Sequence, residues 1–488
     1  MHYTILQDQF SEYVFIGILY FVVTPLLGLF AGFSRNIQRG LFVTMVVLVA
    51  LKPTLYTTSL HVWDNYRGLP RGFEFSLMEV VAVALIIGSL LSDLKQIKLM
   101  PAGLLFYLAY CGLSFVSIVN AEEDVLVWMC LWKFLKGGAV LAAAYFFFKE
   151  EKDIELLMGT FALCLIGQLI FVLKQRYVEG VFRVYGGFEH SNPLAMWSYF
   201  CSIPLLAAAL SGKASWKQSI FYIVGAGAGA LIIVLTVTRT AMAIVGVGSM
   251  MVIGLSLMRG VSMKRLIIVG CLCLGGLVIS AKAFDTVYQR ITTTNDTDAN
   301  NDLRKVLNVM SRAMFDDYPI AGVGWNNSAI VNSRPYPKYS VILERWASIG
   351  DRNPANPVHY RTNPQTESLY WLIISENGLL GIVSWVLFCI ITFLWCLESA
   401  ITYRNSWAGF MFLAIAIVLG FAYAHSFLER ILTQPKNMAH WLIFLGMAAK
   451  FRYLRKPHYT AAFVVLSGML SAMQGGDRRS WSTRTLRT

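Results

Sequence analysis

The chain is short of charge. Only 14% of its 488 residues are Asp, Glu, Lys or Arg, where soluble domains carry about 25%. It also has no cysteine where a disulfide framework would need one. Cys111, Cys130, Cys164, Cys201, Cys271, Cys273, Cys389 and Cys396 all fall inside apolar runs, so disulfides and zinc sites are not expected in the polar stretches. Cys271 and Cys273 stand too close together for a usual zinc pair. No tandem repeat is visible. Met1–Glu12 contains neither Lys nor Arg, so no cleavable signal with a basic leading region is expected.

What is present is apolar: 56% of residues are hydrophobic and the mean hydropathy is +0.57. This excludes a soluble enzyme, a disordered chain and a nucleic-acid-binding domain. The net charge of +13 fits instead the Lys/Arg excess that orients membrane proteins. A spanning helix needs about 20 apolar residues. Thirteen runs qualify: 13–33, 40–60, 76–91, 101–119, 125–147, 154–173, 192–211, 219–237, 240–258, 266–284, 369–397, 407–427 and 438–452. The run at 461–473 is short, and 219–258 divides only at Thr238-Arg239-Thr240.

The expected class is therefore an all-α polytopic membrane protein of about 12–13 transmembrane helices with one large, partly helical periplasmic loop. Residues 1–284 hold the first ten helices, 285–368 the loop, 369–454 the last three helices and 455–488 a basic tail. One set of short loops, including Arg35, Arg39, Lys95, Lys98, Lys213, Lys217, Lys450 and Arg455, carries about twice the Lys and Arg of the other. That set is expected in the cytoplasm. The C-terminus then lies inside, and the N-terminus and the 285–368 loop lie outside, in the periplasm. The loop balances nine Lys/Arg against nine Asp/Glu. Its residues 303–317 place Leu303, Val306, Leu307, Met310 and Met314 at helical spacing, which predicts an amphipathic helix.

Polar residues at span ends are the candidates for chemistry. Arg239 stands between two apolar runs, where an arginine is costly and marks a site by default. Guanidinium also suits bidentate recognition of phosphate. In the turn 183–193, Gly186-Gly187 and Pro193 place His190 and Asn192 at a helix N-terminus, either as a plain cap or as part of a polar pocket. Lys133 and Lys136 share one helix face and are expected to meet a polar cavity or a carboxylate such as Glu79. At the re-entry point of the loop, His359, Arg361 and Glu367 gather a base and a cation. With Arg239, and with Arg290 as a further candidate in the loop, they suit a substrate with a lipid tail and a phosphate head, Glu367 or His359 taking a proton from an attacking hydroxyl. No metal or cofactor is needed for this. GAGAGA at 225–230 lies inside a span and reads as small-residue helix packing.

Four blocks together resemble the bacterial O-antigen ligase and O-antigen polymerase superfamily, membrane glycosyltransferases of the GT-C type. They are Gly187-Phe-Glu-His-Ser-Asn192, Thr238-Arg239-Thr240, Arg304 with Tyr318-Pro-Ile-Ala-Gly-Val-Gly324, and Leu369–Gly381. The resemblance implies an undecaprenyl-pyrophosphate-linked glycan donor, a glycan acceptor and the bacterial inner membrane, with the active site on the periplasmic face. It implies inversion at the anomeric carbon and release of undecaprenyl pyrophosphate, with Arg239 and Arg304 matching arginines that hold the pyrophosphate. One departure is plain. Ligases carry a His nine residues before the helix glutamate, here Glu376, and that slot holds Glu367. The sequence leans toward a polymerase of O-antigen or exopolysaccharide repeats, for which a chain-length regulator is a further partner. Ligation onto lipid A core or protein, and a transporter of an anionic lipid or sugar, remain as alternatives.

Overall fold

The computed structural model describes residues 12–62, 66, 68, 70–92, 102–276, 296–333 and 365–455. His359, Arg290, Arg361 and the 455–488 tail lie outside them, Arg455 apart.

The predicted runs become helices with few changes. α1 spans Glu12–Phe33, α2 Arg35–Ala50, α3 Leu77–Ser92 and α4 Ala102–Phe115. α5 (Asp124–Phe147), α6 (Glu151–Leu173), α7 (Ser191–Leu210), α8 (Trp216–Thr236) and α9 (Arg239–Met258) follow, and residues 263–276 form α10. In the loop come α11 (Asp296–Asp317) and α12 (Ser328–Ser333); after it come α13 (Leu369–Thr402), α14 (Trp407–His425) and α15 (Pro435–Arg455). Among the described residues, nine helices are long and apolar enough to cross a membrane. The protein is an all-α polytopic membrane protein.

One run is corrected. The predicted span 40–60 ends as a helix at Ala50, because Lys52-Pro53 denies the next turn its hydrogen bond. The chain turns out into β1 (Thr57–Leu60), antiparallel to β2 (Phe73–Ser76), with Leu60 opposite Phe73. Thr57 and Thr58 favour extended backbone.

α7 is the axis of the bundle: nearly every residue from Ser191 to Leu210 is buried. α8 lies on it through small residues. A Cβ at Gly225 would come within 2.8 Å of Ala162 on α6, and one at Gly229 would collide with Ser202 Oγ on α7. GAGAGA therefore works as backbone-to-backbone packing. α11 is the expected amphipathic helix, with Leu307, Met310 and Met314 buried against Val323 and Val331.

α13 is broken at Gly378 (φ 61°, ψ −156°). The loop segment 319–324 fills the gap. Val323 N donates to Ser375 O (3.0 Å), Gly324 N to Glu376 O (3.1 Å), Leu379 N to Pro319 O (2.8 Å) and Leu380 N to Ile320 O (3.2 Å). The backbone groups freed by the break are thus satisfied by another segment, as a buried helix interruption requires.

Candidate active site

Three elements converge at the end of the bundle where α7 begins. α11 brings Arg304, the approach to α13 brings Glu367, and the turn between α14 and α15 brings Glu429. Arg304 Nη2 donates to Glu429 Oε1 at 2.8 Å, and Arg304 Nε pairs with Glu367 Oε2. Asn192 Nδ2 also donates to Glu429 Oε1 (3.0 Å). Asn192 Oδ1 accepts from Arg183 Nη2 (2.9 Å) and Thr238 Oγ1 (3.3 Å). The result is a continuous chain, Arg183–Asn192–Glu429–Arg304–Glu367.

Local structure puts each group there. His190 caps α7, its Nδ1 accepting from Asn192 N at 3.3 Å, which sets Asn192 in the first turn. Val237 takes a left-handed conformation (φ 56°) between α8 and α9, and this elbow turns Thr238 toward Asn192. Thr366 Oγ1 donates to Asn308 Oδ1 (2.7 Å), pinning the approach to α13 against α11 one residue from Glu367.

The electrostatics divide the two carboxylates. The Glu367 side chain is 30% exposed and that of Glu429 15%, so Glu367 is the one open to a reactant. Burial raises the Glu429 pKa above the ordinary carboxylate value, and the Glu367 charge pushes the same way. Burial works against the Arg304 charge, but Glu367 and Glu429 outweigh it and raise its pKa. Burial lowers that of Arg183.

Arg239 lies one residue from Thr238, exposed at the first position of α9. Its side chain makes no ion pair or hydrogen bond among the described residues. A helix N-terminus and an uncommitted guanidinium together favour an anion.

The two lysines go elsewhere. Lys136 pairs with Glu79 at 3.2 Å and donates to Glu74 O at 2.8 Å. It lines a cavity of about 260 Å³ with Tyr56, Glu74, Glu79, Phe188, Glu189 and Lys436, so the expected carboxylate and the expected polar cavity are both present. Lys133 lines a separate space of about 30 Å³ with Glu376, Gln365 and Arg430, room for a water or two and no sugar. There Glu376 accepts from Asn326 N (2.9 Å), Ser328 Oγ (2.6 Å) and Gln365 Nε2 (3.3 Å). Gln365 in turn accepts from Arg430 Nη1. Glu376 therefore fastens the loop to the broken helix rather than facing a reactant.

Of the sequence-predicted residues, the structure brings together Arg304, Glu367 and Asn192, with His190 and Arg239 adjoining. It keeps Lys133 and Lys136 out of that cluster. Glu429 and Arg183 were not singled out from the sequence. The signal was there for Glu429, since Glu429-Arg430 interrupts two apolar spans at the same end as Asn192.

No curated protein matches the chain. Residues 224–386 match the family model described as O-Antigen ligase. That stretch holds Thr238-Arg239, Arg304, Glu367 and the Glu376-Asn377-Gly378 break, and the match supports the resemblance to the O-antigen ligase and polymerase superfamily.

Proposed function

We propose that the protein joins a glycan carried on undecaprenyl pyrophosphate to a sugar hydroxyl of an acceptor, releasing undecaprenyl pyrophosphate, and that it polymerises O-antigen or exopolysaccharide repeat units. The observation that carries this reading is the Arg304–Glu367–Glu429 cluster at a span end, next to the uncommitted Arg239.

In this reading Glu367 takes the proton of the acceptor hydroxyl. The oxygen attacks the anomeric carbon from the face opposite the pyrophosphate. The bond from that carbon to the pyrophosphate oxygen breaks, its electron pair leaves with the pyrophosphate, and the configuration inverts. Arg239 and Arg304 offset the charge that develops there, a contribution typically worth 10²–10³ in rate per donor. Glu429 and Asn192 hold Arg304 in place. His359, Arg290 and Arg361 complete the proposed set. The lipid tail stays in the bilayer beside α9. The 260 Å³ cavity at the 188–193 turn offers carboxylates for sugar hydroxyls and the Tyr56 and Phe188 rings for sugar faces. The reacting end is proposed to face the periplasm.

The description of the matched family favours a second reading, transfer of the glycan to lipid A core. One experiment separates the two. Purified protein in nanodiscs is given a lipid-pyrophosphate-linked repeat unit and no other acceptor. A ladder of lengthening glycans on a gel supports the polymerase. Transfer only once lipid A core is added supports the ligase. Neither product, with the sugar of the native repeat supplied, removes both and returns the transporter alternative.

A further inference from the structure

A second polar centre lies at the opposite end of the same helices. α7 carries Asn192 at one end and Leu210 at the other. α9 runs from Arg239 to Met258, and α14 from Trp407 to His425. At 1.5 Å per residue these ends lie about 30 Å apart, the thickness of the hydrocarbon core. At the far end is a pocket of about 600 Å³ lined by Lys213, Arg259, Arg265, Arg404, Trp407 and Phe410, with small polar residues and no Asp or Glu between them.

The four cations are committed to different degrees. Lys213 is shared with Glu151 (2.9 Å) and Glu155 (3.1 Å). Arg265 caps helix ends, donating to Leu210 O (3.0 Å), Ser256 O (3.3 Å) and Gly260 O. That leaves two. Arg259 lies 5.0 Å over the Phe410 ring, and neither its side chain nor that of Arg404 has an ion pair or hydrogen bond among the described residues. Burial, and then the Arg265 charge, lower the Arg259 pKa, as expected where two cations lie close together. The N-terminus of α14 opens on the same space, with Ser406 as its cap, and adds a positive dipole end. A general excess of Lys and Arg in cytoplasmic loops explains that cations occur at this end. It does not explain why they converge on one concave space whose only nearby carboxylates, among the described residues, are the two already held by Lys213.

We propose that this pocket binds a phosphate group, that of an anionic phospholipid in the adjoining leaflet, with Arg259 and Arg404 on the phosphate oxygens and Trp407 and Phe410 against the glycerol and first methylenes. The volume falls within the ~300–1,000 Å³ of small-ligand sites. Basic pockets between helix ends on the cytoplasmic side are where phospholipid headgroups are held, and this end carries the loops expected in the cytoplasm. The site shares no residue with the Arg304 cluster, so it stands apart from the proposed transfer chemistry.

The test uses the full-length protein, delipidated in neutral detergent. Retention of phosphatidylglycerol and of phosphatidylcholine is read by native mass spectrometry, and a third arm supplies millimolar inorganic phosphate alone with thermal stability as the readout. The wild type is expected to retain phosphatidylglycerol over phosphatidylcholine. The Arg259→Gln/Arg404→Gln double variant should lose about 10- to 30-fold in that retention. Lys217→Gln, an exposed cation at the same end outside the pocket, should lose little. Both arginines are exposed, so an unchanged melting temperature in phosphatidylcholine nanodiscs serves as the folding control. Equal retention by the double variant, or no preference for the anionic lipid together with no stabilisation by phosphate, overturns the site. Full stabilisation by inorganic phosphate without lipid preference overturns the lipid assignment and makes the ligand a soluble phosphate.

Discussion

Arg304 and Glu429, 125 residues apart in the chain, meet at 2.8 Å and join the long loop to the last turn between spans. The contact is half-buried and shares its carboxylate with Asn192. Removing Arg304 leaves Glu367 and Glu429 facing one another without a cation. Arg304→Ala is expected to cut turnover by about 10²-fold or more and to lower the melting temperature. Arg304→Lys should restore little, because one ammonium cannot bridge two carboxylates as a guanidinium fork does. Wild-type turnover in Arg304→Ala would remove this residue from the site.

Arg239 makes the complementary case. It is exposed and unpartnered among the described residues, so Arg239→Ala should leave stability within about 0.5 kcal/mol of wild type while abolishing transfer. Thermal melting and the glycan gel, read on one preparation, check both halves. Substantial retained activity would end the pyrophosphate role.

The two carboxylates should separate by pH. Glu429 has its pKa raised by burial and by Glu367, so on acidification it takes up its proton above the ordinary ~4.3. If ionised Glu429 holds Arg304, activity falls with pH in that raised range. Glu429→Gln should abolish this acid limb while keeping part of the rate. Glu367→Gln should lose on the order of 10²-fold at every pH. The stability effect has the opposite sense. The folded protein holds the Glu429 proton to higher pH than the unfolded chain, so its contribution to stability falls as pH rises from the ordinary value through the raised one. A pH–rate profile identical in Glu429→Gln and wild type would count against the assignment.

The interlock at Gly378 carries a stability prediction. Gly378 (φ +61°) and Gly322 (φ +73°) both adopt left-handed backbone, and a Cβ on either would strike the other segment's backbone, Ile320 O and Glu376 C respectively. Gly378→Ala is expected to cost about 2–4 kcal/mol, combining left-handed strain and overpacking. An unshifted melting temperature would mean that the loop does not pack into the break.

Transfer is expected to persist in EDTA, since arginines rather than a divalent ion offset the charge of the leaving group. Loss of activity that a divalent ion restores would overturn that mechanism.

The sequence by itself determined the spans and the loop helix. Runs of about 20 apolar residues have one stable form in a bilayer, and the spacing of Leu307, Met310 and Met314 admits one face. Local chemistry set most ends as well, as at Ser215–Gln218, whose capping box starts α8. It also showed Arg239, because charge beside apolar runs stands out, whereas Arg304 stood out only through the family resemblance. It did not show that span 40–60 would stop at Ala50 and continue as a hairpin. Nor did it show that Gly322 and Gly378 occupy one another's gap, or that Glu429 shares Arg304 with Glu367. Those depend on contacts between segments tens to hundreds of residues apart, and no local propensity encodes them. Only the tertiary structure decided which carboxylate is buried and which is open. That division follows from how closely α7, α11 and the approaches to α13 and α15 pack around the pair.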